Sequence, residues 1–291
     1  IIEDFNIFSE VDYETSKNST LIELGMDSMT YSMYAQKIEA RNKKDVYFDM
    51  AVCNDVTLEQ FYELLLFVYD KTDKVDPIFL KEKGVYLSDE LRNTLIKDSQ
   101  ITEDELPKYT TIGKKMAHNP DTILLTGATG YLGIYMLYEF LSRTKAIIVC
   151  LIRATDNNHA FQRIKNKLKE QNLSIPDNIL SQRCRFLKGD VGKPLLGFEE
   201  EEYNYLASNI DVVFHSAAEI NYVASYNSLK NSNVDGTKNI IKFCFQSQKK
   251  ELHFIGSTLI FGWTHIKNLL ETHCNQDCVD LALGYGQCKW V

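Results

Sequence analysis

The chain has 291 residues, 44% of them hydrophobic and 25% charged, with five prolines and fourteen glycines. That composition excludes wholesale disorder, and the length suits one large or two ordinary domains around a sizeable core. A formal charge of −8 argues against nonspecific nucleic-acid binding, which needs clustered cations on phosphates. The charge is uneven: residues 1–73 hold fifteen acids and six bases, net −9, and the rest of the chain holds 25 acids and 26 bases, net +1.

In chain order, residues 20–73 read as helices. Met29–Ala40 puts Met29, Met33 and Tyr34 at helical spacing, and Leu58–Tyr69 is amphipathic behind a capping box made by Thr57 and Gln60. Residues 74–118 read as a charged linker with helical pieces, one of them a short helix within Leu87–Ile96. From Asp121 the texture changes. Strand-like runs at Thr122–Thr126, Ala146–Ile152, Cys184–Leu187, Asp211–His215 and Leu252–Ile255 are separated by helical runs at Ile134–Leu141, Ala160–Gln171, Glu199–Leu206 and Ser232–Phe245. This alternation predicts an α/β fold for the second part, a doubly wound parallel sheet with helices on both faces.

Seven cysteines in mostly apolar runs suit buried thiols in a reducing, cytoplasmic setting. His273, Cys274 and Cys278 lack a second ligand pair at zinc spacing, so no metal is expected. No apolar run approaches the roughly 20 residues needed to span a bilayer, and no signal peptide is visible. With Ile1 first and Val291 last, the chain reads as an excerpt from a longer polypeptide.

Three motifs carry chemistry. Leu24-Gly25-Met26-Asp27-Ser28 sets a hydroxyl at the start of a helix. One reading is an N-cap, with Asp27 or Ser28 accepting from first-turn amides. The pattern also resembles an acyl or peptidyl carrier domain over about residues 1–73, with Val46–Phe48, a short helix near Asp49–Cys53 and the Thr57 box in the usual order. The resemblance implies a 4′-phosphopantetheine arm on Ser28, installed by a phosphopantetheinyl transferase and bearing an acyl or peptidyl thioester. The net charge of −9 fits docking on basic partner surfaces.

The second motif is Thr126-Gly127-Ala128-Thr129-Gly130-Tyr131-Leu132-Gly133, a G-x-x-G-x-x-G loop between strand and helix. Such glycines allow a tight turn, close backbone approach to a pyrophosphate and close helix–strand packing. The next strand ends in Arg153, where an arginine meets the 2′-phosphate of NADPH; a solvated strand-end arginine is the plainer alternative. Asp190 and Val191 end the following strand where adenine would lie.

The third is Tyr285-Gly-Gln-Cys-Lys289, which sets a phenol and an ammonium one helical turn apart, downstream of a strand ending in Ser257 and Thr258. A neighbouring cation is expected to lower the phenol pKa. Together with His215-Ser216-Ala217-Ala218-Glu219 and Asn233-Val-Asp-Gly-Thr237, these segments resemble the extended short-chain dehydrogenase/reductases over residues 119–291. In detail they resemble the thioester reductase branch, found at the ends of polyketide and nonribosomal peptide synthases and in carboxylic acid reductases.

The resemblance implies that Ser257 binds the carbonyl oxygen, Tyr285 is the acid, and Lys289 tunes Tyr285 and holds the nicotinamide ribose. It implies that Thr126, Gly127, Thr129, Gly130, Tyr131, Leu132, Gly133, Arg153, Asp190, Val191, Ser216, Ala217, Ala218 and Asn233 serve the cofactor. The expected activity is NADPH-dependent release of a carrier-bound thioester as an aldehyde or alcohol, with upstream synthase modules in the same polypeptide. A sugar-nucleotide epimerase or dehydratase of the same fold, and a non-catalytic NADPH-binding docking module, are the alternatives. Because only two residues follow Lys289, the catalytic pair is expected on a frayed terminal turn.

Overall fold

The computed structural model describes residues 11–27, 29, 30, 33, 57–62, 89–261 and 283–291. It divides into two compact units, one of Ile1–Gln100, Ile220–Lys230 and Ser257–Val291, the other of Ile101–Glu219 and Asn231–Gly256. These units do not coincide with the segments 1–73, 74–118 and 119–291 expected from the sequence.

The second unit runs β1 (Thr111–Ile112), β2 (Thr122–Thr126), α1 (Tyr131–Arg143), β3 (Ile147–Ile152), α2 (Asn157–Glu170), α3 (Asp177–Arg183) and β4 (Cys184–Lys188). It continues through α4 (Glu200–Asn209), β5 (Val212–His215), α5 (Gly236–Phe245), β6 (Gln248–Lys249) and β7 (Glu251–Phe254). Five strands form one all-parallel sheet in the order β4-β3-β2-β5-β7, with Leu124 in register with Val149 on one side and Val213 on the other.

Alternation along the strands separates two cores. Ile123, Leu125, Ile148 and Cys150 face one way, against Ile134 and Leu137 of α1 and Ala160 and Ile164 of α2. Leu124, Val149, Leu151 and Val213 face the other way, against Tyr203 and Leu206 of α4 and Ile240 and Phe243 of α5. Each such leucine or isoleucine contributes roughly 1.5–3 kcal/mol by leaving water. Both faces are therefore covered, as the strand–helix alternation predicts.

Two cations, Arg183 half-buried and Lys250 buried, close helix ends. The Arg183 guanidinium donates to the carbonyls of Leu141, Thr144 and Ala146, each at 2.8 Å, and so satisfies the end of α1 and its turn into β3. The Lys250 ammonium donates to Phe243, Gln246 and Gln248 carbonyls at 3.1, 2.8 and 2.8 Å, closing α5 in the same way.

Three differences from expectation stand out. Residues 101–118, read as linker, pack into this unit: β1 pairs in parallel with β6, and Gly113 N–H donates to Lys249 O at 2.7 Å. Helix α3 arises from a polar run with Leu180 as its buried residue. The expected helix Ser232–Phe245 is α-helical only from Gly236, because Asn231–Asp235 forms a π-helical turn.

In the first unit, the Thr57–Gln60 box is present, with Thr57 N–H donating to Gln60 Oε1 at 2.9 Å and Gln60 N–H to Thr57 Oγ1 at 3.3 Å. Leu21, Met26, Leu58 and Phe61 are buried, and Thr20 bridges Thr57. Helix Asp89–Asp98 matches the expectation after Ser88 and accepts the Tyr226 hydroxyl on Asp98 at 2.6 Å. No described helix is long and apolar enough to cross a membrane. Cys150, Cys184, Cys244 and Cys288 are buried free thiols, and burial pushes Cys184 and Cys244 up to about 12. The triplet His273, Cys274 and Cys278 lies outside the described residues.

Candidate active site

The sheet order reverses between β2 and β5, so their carboxyl ends open a crevice, the place where doubly wound sheets bind ligands. A cleft lies there. It is lined by Gly127, Thr129 and Gly130 after β2, by Leu151 to Arg153 at the end of β3, by Gly189 to Val191 after β4, and by Ser216 to Glu219 after β5.

The glycine turn is dictated sterically. Gly127 has φ +73°, and a Cβ there would sit 2.6 Å from Ala217 N and from Ser216 C. A Cβ on Gly133 would lie 2.7 Å from the Gly127 carbonyl carbon, so α1 rests directly on the turn. Gly130 is the N-cap of α1 and offers no side chain to its first-turn amides, which remain available to an anion. Tyr131 and Leu132 are exposed on that first turn.

Arg153 lines the cleft as expected. Sequence reasoning missed Arg163 of α2, which lines the same end and donates from Nη1 to the Arg153 carbonyl. Among the described residues no carboxylate pairs with either guanidinium, so two adjacent cations face a cavity. This is the chemistry of a site for a phosphate. Asp190 accepts from Gly192 N–H at 3.0 Å, shaping the turn opposite.

Thr126 and Asn233 stand behind the lining. Thr126 is fully buried, and Asn233 spends both ends of its amide on Glu219, accepting from its N–H at 2.8 Å and donating to its carbonyl at 2.9 Å. Thus most predicted residues of the second unit converge on one cleft, with Thr126, Gly133 and Asn233 as its supports, while the side chains of Tyr131 and Leu132 are exposed and outside its lining.

In the first unit, helix Gly284–Trp290 carries Tyr285 and Lys289, with Lys289 Nζ 5.9 Å from the Tyr285 ring centre. The expectation of a frayed turn is corrected: Gly284 through Cys288 are buried. A Cβ on Gly284 would lie 2.7 Å from Ser225 C and from Tyr226 N, so the helix lies against that backbone, and Cys288 Sγ reaches Tyr226 O at 3.8 Å. The expected lowering of the phenol is corrected too. Burial raises the Tyr285 pKa above its ordinary value, helped by Tyr222 and Cys288, while burial lowers that of Lys289. Ser257 Oγ accepts from Leu259 N–H at 3.2 Å.

Ser28 lies outside the described residues. The cap before it is Asp27, whose Oδ1 accepts from Met29 N–H at 3.1 Å and Thr30 N–H at 2.8 Å; the Thr30 amide and hydroxyl hold its carboxyl below the usual range. Met29 and Met33 are exposed.

Fold and cleft define a dinucleotide-binding protein of the doubly wound α/β class. Residues 125–291 match the family model NAD_binding_4, Male sterility protein, and the chain belongs to that family. Among its relatives, the nonribosomal peptide synthetase asaC of Aspergillus flavus is 30% identical over 251 residues, covering 81% of this chain and 23% of that protein. The L-2-aminoadipate reductase of Schizosaccharomyces pombe is 30% identical over 210 residues, covering 67% of this chain and 15% of that one. The chain thus spans under a quarter of these relatives.

Among solved structures, the terminal R domain from the myxalamid PKS-NRPS pathway matches with a TM-score of 0.60 and 30% identity, covering 69% of this chain and 50% of that one. A thiolation-reductase di-domain from an archaeal nonribosomal peptide synthetase covers 99% of this chain and 57% of that one, at a TM-score of 0.61 and 21% identity, a likeness of fold. The resemblance to reductase domains is borne out, and with it a fold of the NAD-binding kind.

Proposed function

We propose that the chain is a carrier domain over residues 1–73 and an NADPH-dependent thioester reductase over residues 119–291, joined by residues 74–118. It would serve a polyketide or nonribosomal peptide synthase whose upstream modules deliver an acyl thioester to the arm on Ser28. The observation that carries the reading is the pair of uncompensated guanidiniums, Arg153 and Arg163, at the β3 end of a cleft whose other end is a glycine turn under a helix N-terminus. Two anionic groups of one dinucleotide match these two places, the 2′-phosphate and the pyrophosphate. The cradle fits: a Cβ at Gly130 would meet only Gly127 O at 3.2 Å, so its outer side is open to a ligand.

Bound there, the reduced nicotinamide supplies hydride for the thioester carbonyl. In the roles the resemblance implies, Ser257 and Tyr285 donate hydrogen bonds to the carbonyl oxygen as negative charge grows on it. Burial keeps the Tyr285 phenol protonated and makes it a weaker acid, so in this role it holds a hydrogen bond on the oxygen and gives up its proton only as the more basic alkoxide forms. Lys289 holds the nicotinamide ribose. The carbon–sulfur bond breaks, the thiol returns to its arm, and the acyl group leaves as an aldehyde. The resemblance makes Ser28 the hydroxyl that carries the arm, directly after the helix cap Asp27.

The test loads the chain with a phosphopantetheinyl transferase and an acyl-coenzyme A, then adds NADPH. One arm's mass on Ser28, loss of absorbance as NADPH is oxidised and an aldehyde product are expected. An unchanged mass sinks the carrier assignment, and NADPH bound but never oxidised leaves the docking module in its place.

A further inference from the structure

The wall of the cleft from Ser216 to Glu219 has no regular secondary structure, so side-chain hydrogen bonds must set its shape. It is held at two points. Ala217 N–H donates to Thr126 Oγ1 at 3.1 Å, and the Asn233 amide clamps the Glu219 backbone. Between those two anchors stands His215, only 1% exposed, with Nδ1 2.7 Å from Thr126 Oγ1 and Nε2 3.2 Å from Thr237 Oγ1.

Proton counting gives these contacts a direction. The Thr237 hydroxyl lies 2.6 Å from the Asn233 carbonyl, which only accepts, so the single Thr237 hydrogen is spent there. Thr237 Oγ1 must then accept from His215, and Nε2 carries the proton. At the other end Thr126 Oγ1 already accepts from Ala217 N–H, and its own hydrogen points to an unprotonated Nδ1. The chain runs Ala217 N–H to Thr126, Thr126 O–H to His215 Nδ1, His215 Nε2–H to Thr237, and Thr237 O–H to Asn233.

We propose that Thr126, His215 and Thr237 form a one-way hydrogen-bond chain that fixes the Ser216–Glu219 wall for the cofactor, with His215 as its neutral, Nε2-protonated link. His215 and Thr237 are positioning residues, since neither lines the cleft. The proposal rests on the reading of that cleft as a dinucleotide site. The other tautomer would set two lone pairs against each other at Thr237, whose hydrogen is already spent on Asn233, and would reverse the contact at Thr126.

The test uses the full chain. In nitrogen-15 spectra at neutral pH, His215 is expected as the neutral Nε2–H tautomer; an Nδ1–H tautomer or a doubly protonated ring overturns the proposal. In fluorescence titrations Thr237→Val should weaken NADPH binding about tenfold, the worth of one buried hydrogen bond, with Thr237→Ser within about twofold of the parent. A lower melting temperature with unchanged NADPH affinity in Thr237→Val means packing alone, and overturns it. Failure of the parent chain to bind NADPH sinks the cofactor reading instead, and the imidazole spectrum, which needs no variant to fold, still decides the direction of the chain.

Discussion

Gly133→Ala isolates the contact on which the cofactor turn depends. The added Cβ would stand 2.7 Å from the Gly127 carbonyl carbon and 3.0 Å from Ala128 Cα, with Gly127 O nearer still, where ordinary contact begins at 3.4 Å. All three neighbours are backbone, so no side chain can swing aside, and the amino end of α1 must retreat by close to ~1 Å. Overpacking of this kind costs about 1–3 kcal/mol. The same retreat carries the first-turn amides away from a bound pyrophosphate, and a shift of ~1 Å is enough to lose about 100-fold in a positioned interaction. Gly130→Ala is the control: its Cβ meets only Gly127 O, at 3.2 Å, which the turn can absorb, but it projects where the ligand's phosphates must approach. Calorimetry and NADPH titration should therefore show Gly133→Ala losing both stability and binding, and Gly130→Ala losing binding alone. If Gly133→Ala bound NADPH like the parent chain, the assignment of this turn to the pyrophosphate would be refuted.

Arg153→Ala and Arg163→Ala should each weaken NADPH about 10- to 100-fold, the worth of a charge-assisted bond to phosphate, and leave NADH binding within about twofold, as read by parallel titrations. Tyr285→Phe should reduce thioester turnover at least ~100-fold with NADPH affinity unchanged, since it removes a proton and no binding contact. Burial lowers Lys250 to about 8, so between that pH and the ordinary lysine value the unfolded chain holds the extra proton. Stability is accordingly expected to rise with pH across that window, by up to about 1.4 kcal/mol per unit, and denaturant titrations of Lys250→Met should lack this slope.

The sheet was legible because its strands are apolar, β-rich runs, most of them ending close to a glycine or a hydroxyl, and the helices between carry their own period. Helix α3 was not, because its short, mostly polar run buries Leu180 with Ile179 half-buried beside it, too few apolar letters to show a period. Arg163 was hidden among Lys165, Lys167 and Lys169 on a charged helix, and only the register of α2 over the end of β3 singles it out. Spacing placed Tyr285 and Lys289 on one turn of helix, yet it does not report burial, and burial decided the direction in which the phenol moves. The last helix looked frayed because length was visible and the bare backbone opposite Gly284 was not.

The grip of Arg183 on three carbonyls of the α1–β3 turn separates a loop from its own letters. Many helices end on a local residue able to turn left-handed, but here a side chain some forty positions downstream shares the closure. Thr144 braces the same turn from within, its hydroxyl donating to Phe140 O at 2.7 Å and accepting from Ala146 N–H at 3.2 Å, while the arginine ties the entry of β3 to the residue just before β4.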